Sequence, residues 1–161
     1  MGPLVKDHPK WLDKIISGGQ TGVDRAALDV ALELGITCGG WCPKGRRAED
    51  GQIPERYPLN ETAAKNYFTR TERNVKESDG TLVVAWGQPK AGTALTVRYA
   101  QKYKKPYLVI DLSMRGDPNT VKDWGKTNKV RVLNVAGPRE SEAPGIHDRA
   151  VKFLREVLDG S

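Results

Sequence analysis

The stretch Ile15-Ile16-Ser17-Gly18-Gly19-Gln20-Thr21-Gly22-Val23-Asp24 runs from an apolar pair into three glycines and then into a helical pattern. After Asp24, the apolar residues Ala27, Leu28, Ala31 and Leu32 fall on one helix face, and Gly35 closes the helix. A strand that turns through glycines into a helix puts bare backbone N–H groups at the helix start, where an anion is favoured. Ser17, Gln20 and Thr21 add side-chain donors. The glycine spacing is not that of a dinucleotide fingerprint, and no Gly-Lys-Ser/Thr follows as in a P-loop. A plain tight turn between strand and helix is the other reading of the same residues.

Four further short apolar segments follow, Ile36 to Cys38, Thr81 to Trp86, Pro106 to Leu112 and Arg131 to Val135, and with Lys14 to Ser17 they make five strands. Helical spacing separates most of them. It is clear from Gly145 to Leu158, with Ala150, Phe153, Leu154, Val157 and Leu158 on one face, and weaker over Thr93 to Tyr103 and Asn119 to Lys126. Alternating strands and helices predict an α/β fold, one doubly wound parallel sheet of about five strands with helices on both faces. The 161 residues suit one domain spanning 1–161.

A second glycine turn, Val84-Ala85-Trp86-Gly87 leading to Ala91-Gly92-Thr93-Ala94-Leu95-Thr96, repeats the layout of the first. The loops after the first and third strands are expected side by side at the switch point of the sheet, where ligands bind. Trp41 to Ser78 holds no strong strand, and such long connections tend to carry function. Thr69 and Glu72 have capping-box spacing, which predicts a short helix over Arg70 to Ser78.

Charge adds to this. Lys plus Arg exceed Asp plus Glu by 26 to 20, a net +6, so the surface attracts anions. The basic clusters are short and lack the interleaved aromatics of a nucleic-acid track, so a small phosphate-bearing molecule is the expected partner and nucleic acid is not. Lys44, Arg46 and Arg47 follow the second strand at the same sheet edge and either clamp an anion or pair internally. Arg70, Thr71 and Asn74 face the same choice, and Arg139 is another oxyanion contact. Trp41 and Trp86 end strands near the crevice, as stacking surfaces or as core. Gly125-Lys126-Thr127 mimics the end of a Walker motif, but Thr120 stands where glycine is required.

Cys38 and Cys42 have no companion pair for zinc and read as reduced thiols. His147 reads as a surface or capping residue. No apolar run reaches the roughly 18 residues of a membrane span. Met1 to Lys14 lacks an apolar signal core and Lys6 does not fit a myristoylation motif, so a cytoplasmic setting is expected.

Several ordered motifs carry a resemblance: Ser17 to Arg25, Trp41 to Arg47, Tyr57 to Leu59, Arg70-Thr71 with Asn74-Val75, Ser78 to Thr81, Gly92-Thr93 and Asn134 to Glu140. Together they resemble the family known as putative molybdenum carriers, within the Rossmann-like group that includes lysine-decarboxylase-like, cytokinin-activating enzymes. The resemblance implies a ligand-binding α/β fold, a homo-oligomer of dimer or tetramer type and, as in algal relatives, protection and transfer of molybdenum cofactor. It also implies an alternative, a nucleotide N-glycosidase, whose pattern is similar to Pro-Gly-Gly-x-Gly-Thr-x-x-Glu. Gly92 and Thr93 match that pattern, Pro89-Lys90-Ala91 departs from it, and Thr96 falls where it has the catalytic Glu. A nucleotide or ADP-ribose sensor is the third possibility for the same pocket.

The expected ligand-binding set is Ser17, Gly18, Gly19, Gln20, Thr21, Gly22, Asp24 and Arg25 from the first turn, Lys44, Arg46, Arg47, Arg70 and Asn74 between, and Gly92, Thr93 and Thr96 from the second. No catalytic residue and no metal ligand is expected, the carried cofactor holding molybdenum through its own dithiolene.

Overall fold

The computed structural model describes residues 8–160, so the reading of Met1 to Lys14 falls partly outside the described residues. Five strands form one all-parallel sheet: β1 (Lys14–Ile16), β2 (Thr37–Gly39), β7 (Gly80–Ala85), β8 (Tyr107–Asp111) and β9 (Val132–Ala136). Each lies within a residue or so of the apolar segment that predicts it. The helices are α1 (Val23–Leu34), α2 (Tyr67–Glu77), α3 (Ala91–Lys102), α4 (Pro118–Thr127) and α5 (Ile146–Leu158). Among the described residues, no helix is long and apolar enough to cross a membrane.

The strand order is β2-β1-β9-β7-β8, and it corrects the expected neighbourhood of the two glycine turns. β9 lies between β1 and β7, pairing Ile15 with Leu133 on one side and Leu82 with Val135 on the other. The cause is burial: Leu133, Asn134 and Val135 are all covered, as a central strand of a parallel sheet must be, whereas β2 and β8 are partly exposed edges. Counted from β9 as the first strand, the order becomes 3-2-1-4-5, that of a dinucleotide-type doubly wound sheet. The chain thus follows that topology from a shifted starting point.

The two sheet faces differ in chemistry. On one, Ile15, Leu82, Val84, Leu133 and Val135 pack under α1, α4 and α5 in the main apolar core. On the other, under α2 and α3, Asn134 donates to the Thr81 hydroxyl at 3.2 Å, and both side chains are buried. α2 begins earlier than its predicted start because Asn66, not Thr69, is the cap and accepts from the Thr69 N–H at 2.9 Å. Between Trp41 and Ser78, where no strand is expected, β3 (Trp41–Cys42) pairs with β6 (Asn60–Glu61), and β4 (Arg47–Ala48) with β5 (Gly51–Gln52).

This segment wraps a second, smaller core of Leu28, Cys42, Ile53, Tyr57 and Leu59. Cys38 and Cys42 are both free thiols, and burial pushes both pKa values up. Tyr57 donates to Asp29 at 2.7 Å, and burial with that bond raises its pKa to about 12. His147, rather than a plain surface or capping residue, bonds the other Asp29 oxygen at 2.8 Å, tying α5 to α1. Burial opposes its charge, but Asp29 and Asp148 outweigh burial and raise its pKa above 6.5. A raised imidazole pKa contributes stability that is full below pH 6.5 and fades as pH rises through the folded value. We therefore expect the melting-temperature gap between wild type and His147→Ala to narrow from about pH 6 to pH 8. A gap that widens over this range contradicts the pairing.

Candidate functional site

Counted from β9, the sheet reverses its winding between β9 and β7: β9 leads into α5 on one face and β7 into α3 on the other. A cleft, partly open to solvent, lies at the carboxyl edge of the sheet beside these two strands. Its walls come from the β1–α1 turn (Gln20, Asp24), the start of α2 (Tyr67, Arg70), the start of α3 (Gly92, Thr93, Thr96) and the end of β9 (Gly137, Arg139). Below it, a narrow polar recess runs past Gly18, Asn74 and Asn134.

Arg70 is the centre of the cleft. Its Nη1 donates to Asp24 Oδ2 at 2.9 Å, and both side chains are largely covered. Gly18 makes room for it, since a Cβ there would lie 1.5 Å from Nη1. Burial pushes the Asp24 carboxyl pKa up, against the Arg70 guanidinium and the Gln20 N–H, which pull it down. Among the described residues, Arg70 Nε is buried without a hydrogen-bond partner, and so is Gln20 Nε2. A buried donor without a partner costs about 1–3 kcal/mol, which an acceptor such as water or an anion would offset.

Tyr67 collects further positive charge. Arg139, Arg70 and Arg47 lie over its ring, with their guanidinium carbons 5.2, 5.7 and 5.8 Å from the centroid. Tyr67 escapes the sequence reading although it precedes Arg70 by three residues and so shares its helix face. At α3, the cap residue Lys90 provides no side-chain bond and Gly92 has open space around it. Thr93 is buried against the cleft, and Thr96 Oγ donates to the Gly92 carbonyl at 3.0 Å.

The first glycine turn is organised differently from its expected role. Gly19 N–H donates to Ser17 Oγ, Gln20 N–H to Asp24, Thr21 N–H to Gln20 Oε1 and Val23 N–H to the Pro138 carbonyl. These donors are satisfied within the protein and brace the turn. Ser17 Oγ itself donates to the Asp24 carbonyl at 2.9 Å. Gly22, at φ +80°, lets the turn pack on the 138–140 backbone, where a Cβ would meet the Pro138 oxygen at 2.3 Å. Gly19 faces Leu59 and Ile53 of the small core rather than the cleft.

The basic segment likewise turns inward. Arg46 donates to the carbonyls of Ile53, Pro54, Tyr57 and Leu59 and so fastens the loop over the small core. Arg47 donates to the Lys65 carbonyl at 3.1 Å, and Lys44 is exposed. At the tip of the β4–β5 hairpin, Asp50 pairs with Arg25, while Glu49 accepts from Thr21 and Ser141. Asn74 holds Trp41 through its N–H at 2.8 Å and its carbonyl at 3.0 Å. The structure thus brings Gln20, Asp24, Arg70, Gly92, Thr93 and Thr96 together around the cleft, with Gly18 and Asn74 beneath it. It places Ser17, Gly19, Thr21, Gly22, Arg25, Lys44, Arg46 and Arg47 outside its lining.

Among the described residues, no group of three or more His, Cys, Asp or Glu side chains is placed to hold a metal ion. Comparison with curated proteins returned no match. Among solved structures, the chain is similar to a protein from Syntrophus aciditrophicus SB named putative molybdenum carrier protein. The two share 46% identity over 94% of this chain and 97% of that one, with a TM-score of 0.88. The model of the circularly permutated YpsA SLOG family matches residues 15–158, a description that agrees with the shifted starting point of the sheet. By this match over most of its length, the chain belongs to the circularly permutated YpsA SLOG family.

Proposed function

We propose that the cleft binds an anionic, phosphate-bearing small molecule, that the protein carries and shields this guest in the cytoplasm, and that the guest is molybdenum cofactor. The observation that carries the reading is the pair of buried donors without partners, Arg70 Nε and Gln20 Nε2, at the edge of a guanidinium-lined cleft. Molybdenum cofactor is a pterin with a phosphate and an oxo-metal group, so it presents oxygen acceptors and needs only donors from its carrier. The name of the Syntrophus relative, a molybdenum carrier, supports the metal part of this cargo.

Hydrolysis of a nucleotide is favoured less by the residues present. Thr96 stands at the position where the glycosidase pattern has its Glu, and its hydroxyl is engaged with Gly92. Asp24, the buried carboxylate of the cleft, is committed to Arg70 and Gln20. Native mass spectrometry of the freshly purified protein, with metal analysis and identification of the released molecule, tests the proposal. A pterin phosphate with molybdenum, held by a dimer or tetramer, is the expected result. Release of a free base from a nucleoside monophosphate overturns it in favour of the glycosidase.

A further inference from the structure

We infer that the cleft continues into a ring-binding subsite built on Trp86 and Glu142, which selects a heterocycle with a 2-amino-4-oxo edge, the edge shared by guanine and pterins. This rests on the anion-binding reading above and adds the residues that recognise the ring.

Trp86 follows the last residue of β7 and is 42% exposed, unusual for the largest apolar side chain at the mouth of a sheet. It walls two hollows at this edge, both partly open to solvent. These continue the cleft, because Thr93 borders both the cleft and the first hollow, and Glu142 borders all three. The Arg149 guanidinium lies over the indole, 4.8 Å from its centroid, so one planar group already stacks there and a flat guest takes the other face or displaces it.

Glu142 sets the direction of the guest. Arg70 lines the cleft and neither hollow, whereas Glu142 is the carboxylate that reaches both hollows, so the anion lies toward Arg70 and the ring toward Trp86. The contacts of Glu142 with Arg139, at 3.2 and 3.6 Å, both go to Oε1, and Oε2 has no partner among the described residues. A carboxylate only accepts hydrogen bonds. A 2-amino-4-oxo ring offers it two adjacent N–H donors, from the ring nitrogen and the amino group. Adenine offers one donor beside a ring lone pair, which the carboxylate repels.

Titration calorimetry of the full chain with inorganic phosphate, GMP and AMP tests this. Wild type is expected to bind GMP at least about tenfold more tightly than AMP. Glu142→Gln is expected to bring the two within about twofold without changing the melting temperature, since the side chain is exposed. Trp86→Ala is expected to weaken both nucleotides about tenfold and leave phosphate unchanged. Equal binding of GMP and AMP by wild type, with phosphate still bound, overturns the ring subsite and keeps the anion site. A GMP preference that survives Glu142→Gln removes Glu142 from the role, and absence of binding by all three probes overturns both readings.

Discussion

Arg70→Met is expected to abolish phosphate binding and to cost about 3–5 kcal/mol of stability near neutral pH, because it leaves a buried charge without its partner. Asp24 would lose the guanidinium 2.9 Å away and keep only the Gln20 N–H bond of 3.2 Å. Burial already raises the Asp24 pKa above 3.8, and without Arg70 nothing of comparable strength opposes that rise. The folded variant then binds a proton that the unfolded chain releases, so its stability falls as pH rises above the ordinary carboxylate range. The deficit against wild type should shrink toward acid pH. Asp24→Asn in the Arg70→Met background should recover most of the stability and none of the binding. Urea unfolding across pH, with phosphate titration of each variant, separates the two effects, and wild-type phosphate affinity in Arg70→Met would remove the anion site.

Gly19→Val is expected to lower the melting temperature by roughly 10 °C, a loss of about 3 kcal/mol. Its φ of +76° is a conformation that β-branched residues avoid, and the new Cβ would lie 2.4 Å from Leu59 and 3.0 Å from Ile53. Both neighbours are buried in the small core and must shift to admit it. The sequence alone suggests another outcome for this variant: ligand binding lost with the fold intact. Thermal unfolding decides between them, and an unchanged melting temperature with lost binding would return Gly19 to the ligand.

The contrast shows what the residues disclose on their own. Periodicity places all five sheet strands and the clear helices, because apolar spacing and glycine punctuation are local properties. Strand order is not local. The apolar segment Tyr107-Leu108-Val109-Ile110 suits a central position yet forms an edge, while β9 holds the centre despite the polar Asn134, which is satisfied by Thr81. A polar residue with a distant partner is invisible to pattern reading. The same limit applies at the cleft. Arg70 and Gly92-Thr93 stand out as charge and as a glycine turn, but nothing adjacent in sequence shows that four carbonyls engage Arg46 or that Asp50 holds Arg25. Those pairings depend on how the 42–66 segment closes over α1.

The position of β9 also governs the order of assembly. β1 with β2, and β7 with β8, are two parallel pairs that share no ladder until residues 132–136 slide in as the keystone. During synthesis, neither half can gain its second neighbour before residues 132–136 emerge, and the cleft exists only after that closure.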